Sequence, residues 1–222
     1  MAVSLPLFPL GTVLFPGLVL PLHIFEDRYK QLIHDLLQEK EPRRFGVIAI
    51  RSGRETGADG ISALHDVGCT ATLREIAEAG DGEFDIVTVG TDRFRVRSLG
   101  DARPYLTGDV EMLDEPTGEG GAARLAAAAV QRAFRAYLNV LADRGAAVIS
   151  VPDLPDEPIL LSYLVAASMI IELGDRQSLL AEPDAVSRLT AESALLARET
   201  AILRELGSTP APDLRSSPYN PN

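Results

Sequence analysis

Charge is missing from the first 25 residues, cysteine occurs once, and lysine occurs only as Lys30 and Lys40. Each scarcity excludes a class of chemistry. A lone Cys69 forms no internal disulfide, and its strand-like flanks fit a small buried residue rather than a reactive thiol. A phosphate-binding P-loop needs Gly-Lys before Ser or Thr, so that backbone amides and an ammonium group hold the phosphates. Here Tyr29 precedes Lys30 and Glu39 precedes Lys40, so P-loop hydrolysis is excluded. No Gly-x-Ser-x-Gly nucleophile elbow is present either. Long unbroken apolar runs are also lacking. Pro6, Pro9, Pro16 and Pro21 interrupt the uncharged start, and each removes a backbone donor that a membrane helix or signal peptide would need. The segment reads as extended chain belonging to a folded core, or to a surface that receives something apolar. With no export signal and a single cysteine, a reducing cytoplasm is the expected compartment.

The 222 residues are 46% hydrophobic, enough to bury a core in one or two domains. A net charge of −11 disfavours a nucleic-acid partner, because phosphate binding rests on Lys and Arg displacing counterions. Up to Glu115 the pattern is short alternating or apolar strands with turn chemistry between them. One helix interrupts it over Glu26 to Lys40, where Tyr29, Leu32, Ile33, Leu36 and Leu37 form an inward stripe. FDIVTV (Phe84 to Val89) and RFRVRS (Arg93 to Ser98) flank Gly90-Thr91-Asp92, which predicts a hairpin turn. Arg51 to Gly60 and Glu78 to Glu83 read as surface loops.

Glu115 to Ala123 has the composition of a linker, and the period changes from 2 to 3.6 after it. The predicted organisation is therefore a β-rich lobe over 1–117, a helical bundle over 118–206 and a Pro/Ser-rich tail over 207–222, mobile or draped on the surface. In the bundle, Val130, Phe134, Tyr137, Leu138 and Leu141 form one stripe, ending at Arg144-Gly145. A second helix is predicted from an Asp156 cap, with Pro158 in its first turn. Its apolar run PILLSYLVAASMII is 14 residues, too short to span a bilayer and suited to a buried bundle helix. A short helix capped by Asp175 follows, and Pro183-Asp184 opens the last. That last helix carries Val186, Leu189, Ser193, Leu196, Thr200 and Leu203 on a packing seam.

Five blocks, in order, carry a family resemblance: LPLFPLGTVLFPGLVLPLHIFEDRY (Leu5 to Tyr29), FGVIAI (Phe45 to Ile50), DVGCTATLREI (Asp66 to Ile76), VGTDRFRVRSL (Val89 to Leu99) and PYLTGDVEMLDE (Pro104 to Glu115). Over about residues 5 to 206 the chain resembles the amino-terminal, substrate-recognition domain of ATP-dependent Lon proteases. The resemblance implies an α+β fold: a small twisted, barrel-like sheet with one helix, then a helical bundle. It implies a free-standing recognition domain without the ATPase and serine-lysine protease modules. The expected function is non-enzymatic binding of unfolded or apolar polypeptide, in partnership with a protease machine or as a weak homo-oligomer.

Candidate contacts are Phe8, Phe15 and Phe25 in the proline-broken segment, with the groove between the two lobes; packing in a core is the competing reading of each ring. Arg93, Arg95 and Arg97 fall on one face of a strand. An exposed face paired with Asp and Glu accounts for them, while Arg93 and Arg95 are kept as candidate contacts for peptide carbonyls or carboxylates. His23, His34 and His65 share no metal-ligand spacing and read as structural. No catalytic residue, metal or cofactor is expected. Three other readings remain: an adaptor for one folded partner, a hydrolase without a local motif, and an RNA-binding barrel, which the charge balance opposes.

Overall fold

The computed structural model describes residues 2–53, 61–144 and 154–207. Most of the expected 51–60 loop, Gly145 and the tail from 208 onward lie outside them. The proline-broken start is extended, as strands β1 (Ala2–Leu10) and β2 (Val19–Ile24). Helix α1 (Asp27–Gln38) follows, burying Tyr29, Leu32, Ile33 and Leu36 beneath one face. Strands β3 (Arg44–Gly53), β4 (Ile61–Leu64), β5 (Val67–Ala79), β6 (Glu83–Gly100) and β7 (Thr107–Met112) complete a seven-stranded sheet.

Pairing runs β1–β7–β6–β5–β3, and β3 returns to β1 through a parallel contact at Leu7/Gly46 to Leu10/Ala49. Among the described residues β2 joins only β6, and β4 extends from β3 outside that ring. The sheet is therefore barrel-like, as the resemblance implies, without being a clean barrel. The predicted hairpin at Gly90-Thr91-Asp92 is also corrected, because β6 is one strand of 18 residues. Its first half pairs with β2 (Phe84 to Val89) and its second with β7 (Phe94 to Gly100). Gly90 marks the changeover. A Cβ there would lie 2.3 Å from the Phe15 carbonyl oxygen, so glycine is required by close backbone approach instead of by a turn. Opposite it, the β5–β6 register shifts between Cys69 and Ala71, the bulge that bends the strand.

Helices α2 (Gly120–Asp143), α3 (Pro158–Ser168), α4 (Leu173–Ala181) and α5 (Ala185–Gly207) follow. The cap of α3 is Glu157, not Asp156: its carboxylate accepts from the Ile159 and Leu160 amides at 3.1 and 2.6 Å. With Pro158 at the first helical position, that amide needs no partner. The helix is shorter than its apolar run, and Ile170 beyond it is exposed. Glu172 occupies the N-cap position of α4 without a side-chain capping hydrogen bond, and the expected cap Asp175 lies inside the first turn. Asp184 opens α5 as expected, accepting from the Ser187 amide at 2.7 Å, and that hydrogen bond, helped by nearby Arg188, holds its carboxyl below the ordinary range although burial opposes the shift.

Three apolar clusters hold the chain together. One, with Phe8, Phe45 and Phe84, lies between α1 and the sheet. A small one around Phe94 fills the ring of strands. The third crosses between lobes, joining Val13, Phe15, Ala49 and Val67 to the inner faces of the bundle, including Phe134, Tyr137, Leu161 and Leu189.

Candidate functional site

β2 leaves the sheet at Ile24, which is buried, and α1 begins two residues after Phe25. That short hand-over gives Phe25 no interior to enter, and it is 50% exposed. Its ring stacks on His23 with centroids 6.2 Å apart. His23 stands between two carboxylates, Asp85 at 2.8 Å and Glu83 at 3.0 Å. The hydrogen bond to Asp85, with both anions beside it, raises the imidazole pKa above its ordinary value. On the other side Arg28 pairs with Glu26 at 3.0 Å and lies over the Tyr29 ring at 4.5 Å. Tyr29 in turn stacks on Phe8, 4.1 Å between centroids.

Between the ends of β1 and β2 and the start of α1 these groups enclose an apolar cleft of about 200 Å³, walled by Pro9, Leu10, Leu22, Ile24, Phe25 and Tyr29. Pro9 and Tyr29 also wall a second cleft of about 330 Å³, which continues past Leu64 and Leu99 to Arg103 and Tyr105. Leu99 is 53% exposed. The far wall is held by Asp35, which accepts from Tyr105 at 2.7 Å and Arg103 at 3.0 Å. The Tyr105 hydrogen bond leads in keeping the Asp35 carboxyl low, while burial and that anion push the Tyr105 phenol up to about 12.

Of the residues singled out from sequence, Phe25 alone is a half-exposed aromatic at a cleft. Phe8 (6% exposed) and Phe15 (0%) are core, spent on stacking with Tyr29 and packing against Tyr163, so neither offers a ring to a ligand. Arg93 is 2% exposed and faces the bundle. It donates to Glu115 at 2.7 Å and to the carbonyls of Leu180, Glu182 and Asp114 at 2.8, 2.5 and 3.1 Å. Arg95 is half-buried, and Arg97 on the open end pairs with Glu111. The three arginines do share a face; the bundle covers only the first of them.

The expected groove between lobes is closed by that arrangement. Arg188 (0% exposed) donates to Leu179 O at 3.0 Å, Ser162 Oγ at 3.0 Å and Glu115 at 3.1 Å, and lies 4.1 Å over the Tyr163 ring. The Tyr163 hydroxyl donates to the same carboxylate. Glu115, between two buried guanidinium groups, was not legible as a keystone because its partners lie 22 and 73 residues away. Cys69 is fully buried, and desolvation pushes its thiol pKa up, away from reactivity.

Among the described residues no group of three or more His, Cys, Asp or Glu is placed to hold a metal, and no helix is long and apolar enough to cross a membrane. What the clefts offer is contact: apolar walls, a half-exposed ring and a polar rim.

Comparison with known proteins places this architecture. A relative named Lon protease 2, from Sorangium cellulosum (strain So ce56), is 28% identical over 205 residues, covering 90% of this chain and 25% of its own. Lon protease of Escherichia coli (strain K12) is 23% identical, covering 91% of this chain and 26% of its own. The chain thus spans about a quarter of the length of these relatives. A Lon N-terminal domain protein from Xanthomonas campestris, solved by crystallography, superposes with a TM-score of 0.59 at 29% identity, covering 88% of this chain and 98% of that one. The N-terminal domain of a Mycobacterium avium complex Lon protease shares the fold, with a TM-score of 0.62 at 18% identity. The model of the ATP-dependent protease La (LON) substrate-binding domain matches residues 4–198, and the chain belongs to that family.

Proposed function

We propose that this chain recognises polypeptide, holding exposed apolar segments by non-covalent contact at the cleft beneath Phe25. The observation that carries this reading is a half-exposed aromatic ring seated over an apolar cleft, in a family described as substrate-binding. The clefts either side of Pro9 and Tyr29 fit a segment with two apolar anchors, one beside Phe25 and one beside Leu99.

Magnitudes define how the site works. Each large apolar side chain buried contributes about 1.5–3 kcal/mol, while association costs roughly 4–15 kcal/mol of lost freedom. Two or three anchors therefore contribute about 3–9 kcal/mol against that cost, so even with added backbone hydrogen bonds single-site binding is no better than micromolar to millimolar, which suits capture and release. Several copies acting together would multiply it, so docking on a protease machine or weak self-association fits the same reading. Binding of this kind requires neither nucleotide nor a bond made or broken.

The test is photo-crosslinking from a probe at position 25 to a denatured client, with client aggregation followed in parallel. Crosslinks to many unfolded chains and slowed aggregation without nucleotide support the reading. Crosslinking no greater than that of an inert acidic protein overturns it, and capture of one folded partner in fixed proportion favours an adaptor instead. Phe25→Ser removes roughly 1 kcal/mol of contact, about a fivefold loss of affinity for an apolar peptide, with thermal stability unchanged.

A further inference from the structure

The hydrogen-bond phase of β2 is fixed by its neighbours. The Gly90 amide donates to the Leu18 carbonyl at 2.8 Å, and the register continues without a shift from Val19/Val89 to Ile24/Phe84. Bonded pairs in an antiparallel ladder recur every second residue, so Leu20/Thr88, Leu22/Ile86 and Ile24/Phe84 bond inward to β6. The Thr88 hydroxyl, reaching Leu20 O at 2.9 Å, agrees with that phase. Val19, Pro21 and His23 therefore turn their backbone groups to the outer edge. Among the described residues that edge pairs with no strand. Proline falls at the one kind of position where its missing amide costs the sheet nothing.

β1 repeats the arrangement across the cleft. The Leu7 amide donates to Leu106 O at 2.8 Å on the β7 side, and two residues on, past the end of the β1–β7 pairing, Pro9 turns to that same side. Exposed edges are usually blunted by charged side chains, above all lysine. β2, reading VLPLHI, carries only His23, so its outer edge keeps two amides and three carbonyls facing outward beside an apolar cleft.

We propose that an extended, uncharged-to-basic polypeptide segment docks by adding a strand to the outer edge of β2, with an alternate side chain entering the cleft beneath Phe25. This rests on the polypeptide reading above and specifies its chemistry. Main-chain pairing is blind to side-chain identity, while the cleft asks only for one apolar residue in the right place. Exposed Asp85 and half-buried Glu83, on β6 beside His23, favour a lysine or arginine next to that anchor. A second copy of β2 is the poorer occupant: two-fold pairing centred on this strand sets Pro21 against Pro21, and both central bonds are lost.

Amide hydrogen exchange of the full chain tests this, with and without a ten-residue peptide alternating Phe or Leu with Thr and ending in Lys. The expected result is that the Val19 and His23 amides slow by about tenfold or more at saturating peptide, while Leu20 and Leu22, already paired, change little. Val19→Pro, which removes an outward donor only, weakens the peptide roughly twofold to tenfold and leaves the melting temperature unchanged. Peptide that binds without altering either amide overturns strand addition and leaves polypeptide recognition standing. Peptide that does not bind at all overturns both. Protection of the two amides that grows with protein concentration alone identifies a second copy as the occupant and overturns the proposal.

Discussion

At the residue scale the least expected group is Glu192, fully buried in α5 with neither carboxylate oxygen hydrogen-bonded among the described residues. Desolvation raises its pKa well above 4.5, and Arg188 one turn earlier opposes this only in part. The folded state therefore binds this proton more tightly than the unfolded chain does. Stability from the group is complete below the ordinary glutamate range and is lost as pH rises from there toward the raised value. Glu192→Gln is expected to raise the melting temperature at pH 7–8 and flatten its fall between pH 5 and 8, measured by calorimetry. No sequence pattern distinguishes this glutamate from the exposed Glu205 on the same helix, because only the packing of α2 and α3 over α5 decides which is covered.

At the element scale, β6 holds the lesson about what a sequence reveals. Its two halves were legible as strands from alternation, and Gly-Thr-Asp between them has the composition of a turn. The decisive contact, the Phe15 carbonyl against Gly90, comes from 75 residues away in a segment with no sign of where it packs. Gly90→Ala is expected to force that carbonyl aside at a cost of about 1–3 kcal/mol, read as a lower denaturation midpoint at unchanged slope. α1 and the α5 cap were readable because stripe and cap are local. The α3 cap lies one residue past the Asp156 that the sequence suggests, since Asp156 and Glu157 both precede Pro158 and only backbone geometry chooses between them. At the candidate site, Phe25 was legible as an aromatic in an uncharged segment. Phe8 and Phe15 look the same in sequence and differ only in what folds over them.

At the scale of the whole molecule, the two lobes are joined by apolar packing and by one carboxylate shared between two buried arginines. Gln177 adds a donor to Val67 O at 2.9 Å, and the Ala185 amide donates to Pro116 O at 3.1 Å. Removing the shared carboxylate leaves both cations buried without their anion, the costly half of a broken ion pair. Glu115→Ala is expected to lower stability by about 3 kcal/mol, measured by urea denaturation followed at both lobes. Arg188→Met, which removes a charge and keeps the volume, is expected to cost less than Arg188→Ala, because methionine retains contact with the Tyr163 ring. Both lobes are expected to unfold in one transition, since the cluster around Phe15 and Phe134 belongs to both.

The length of β6 has a mechanical consequence. Tension on a segment docked along β2, as proposed above, would run parallel to the strands, so the bonds between β2 and β6 would carry the load together in shear and would not peel open one by one. Beyond Asp92 the same backbone transmits that load to Arg93, whose guanidinium is anchored on the carbonyls of Leu180 and Glu182. Under the proposed docking, a tug on the segment would thereby be delivered to the helices, and the fold would act as a stiff handle.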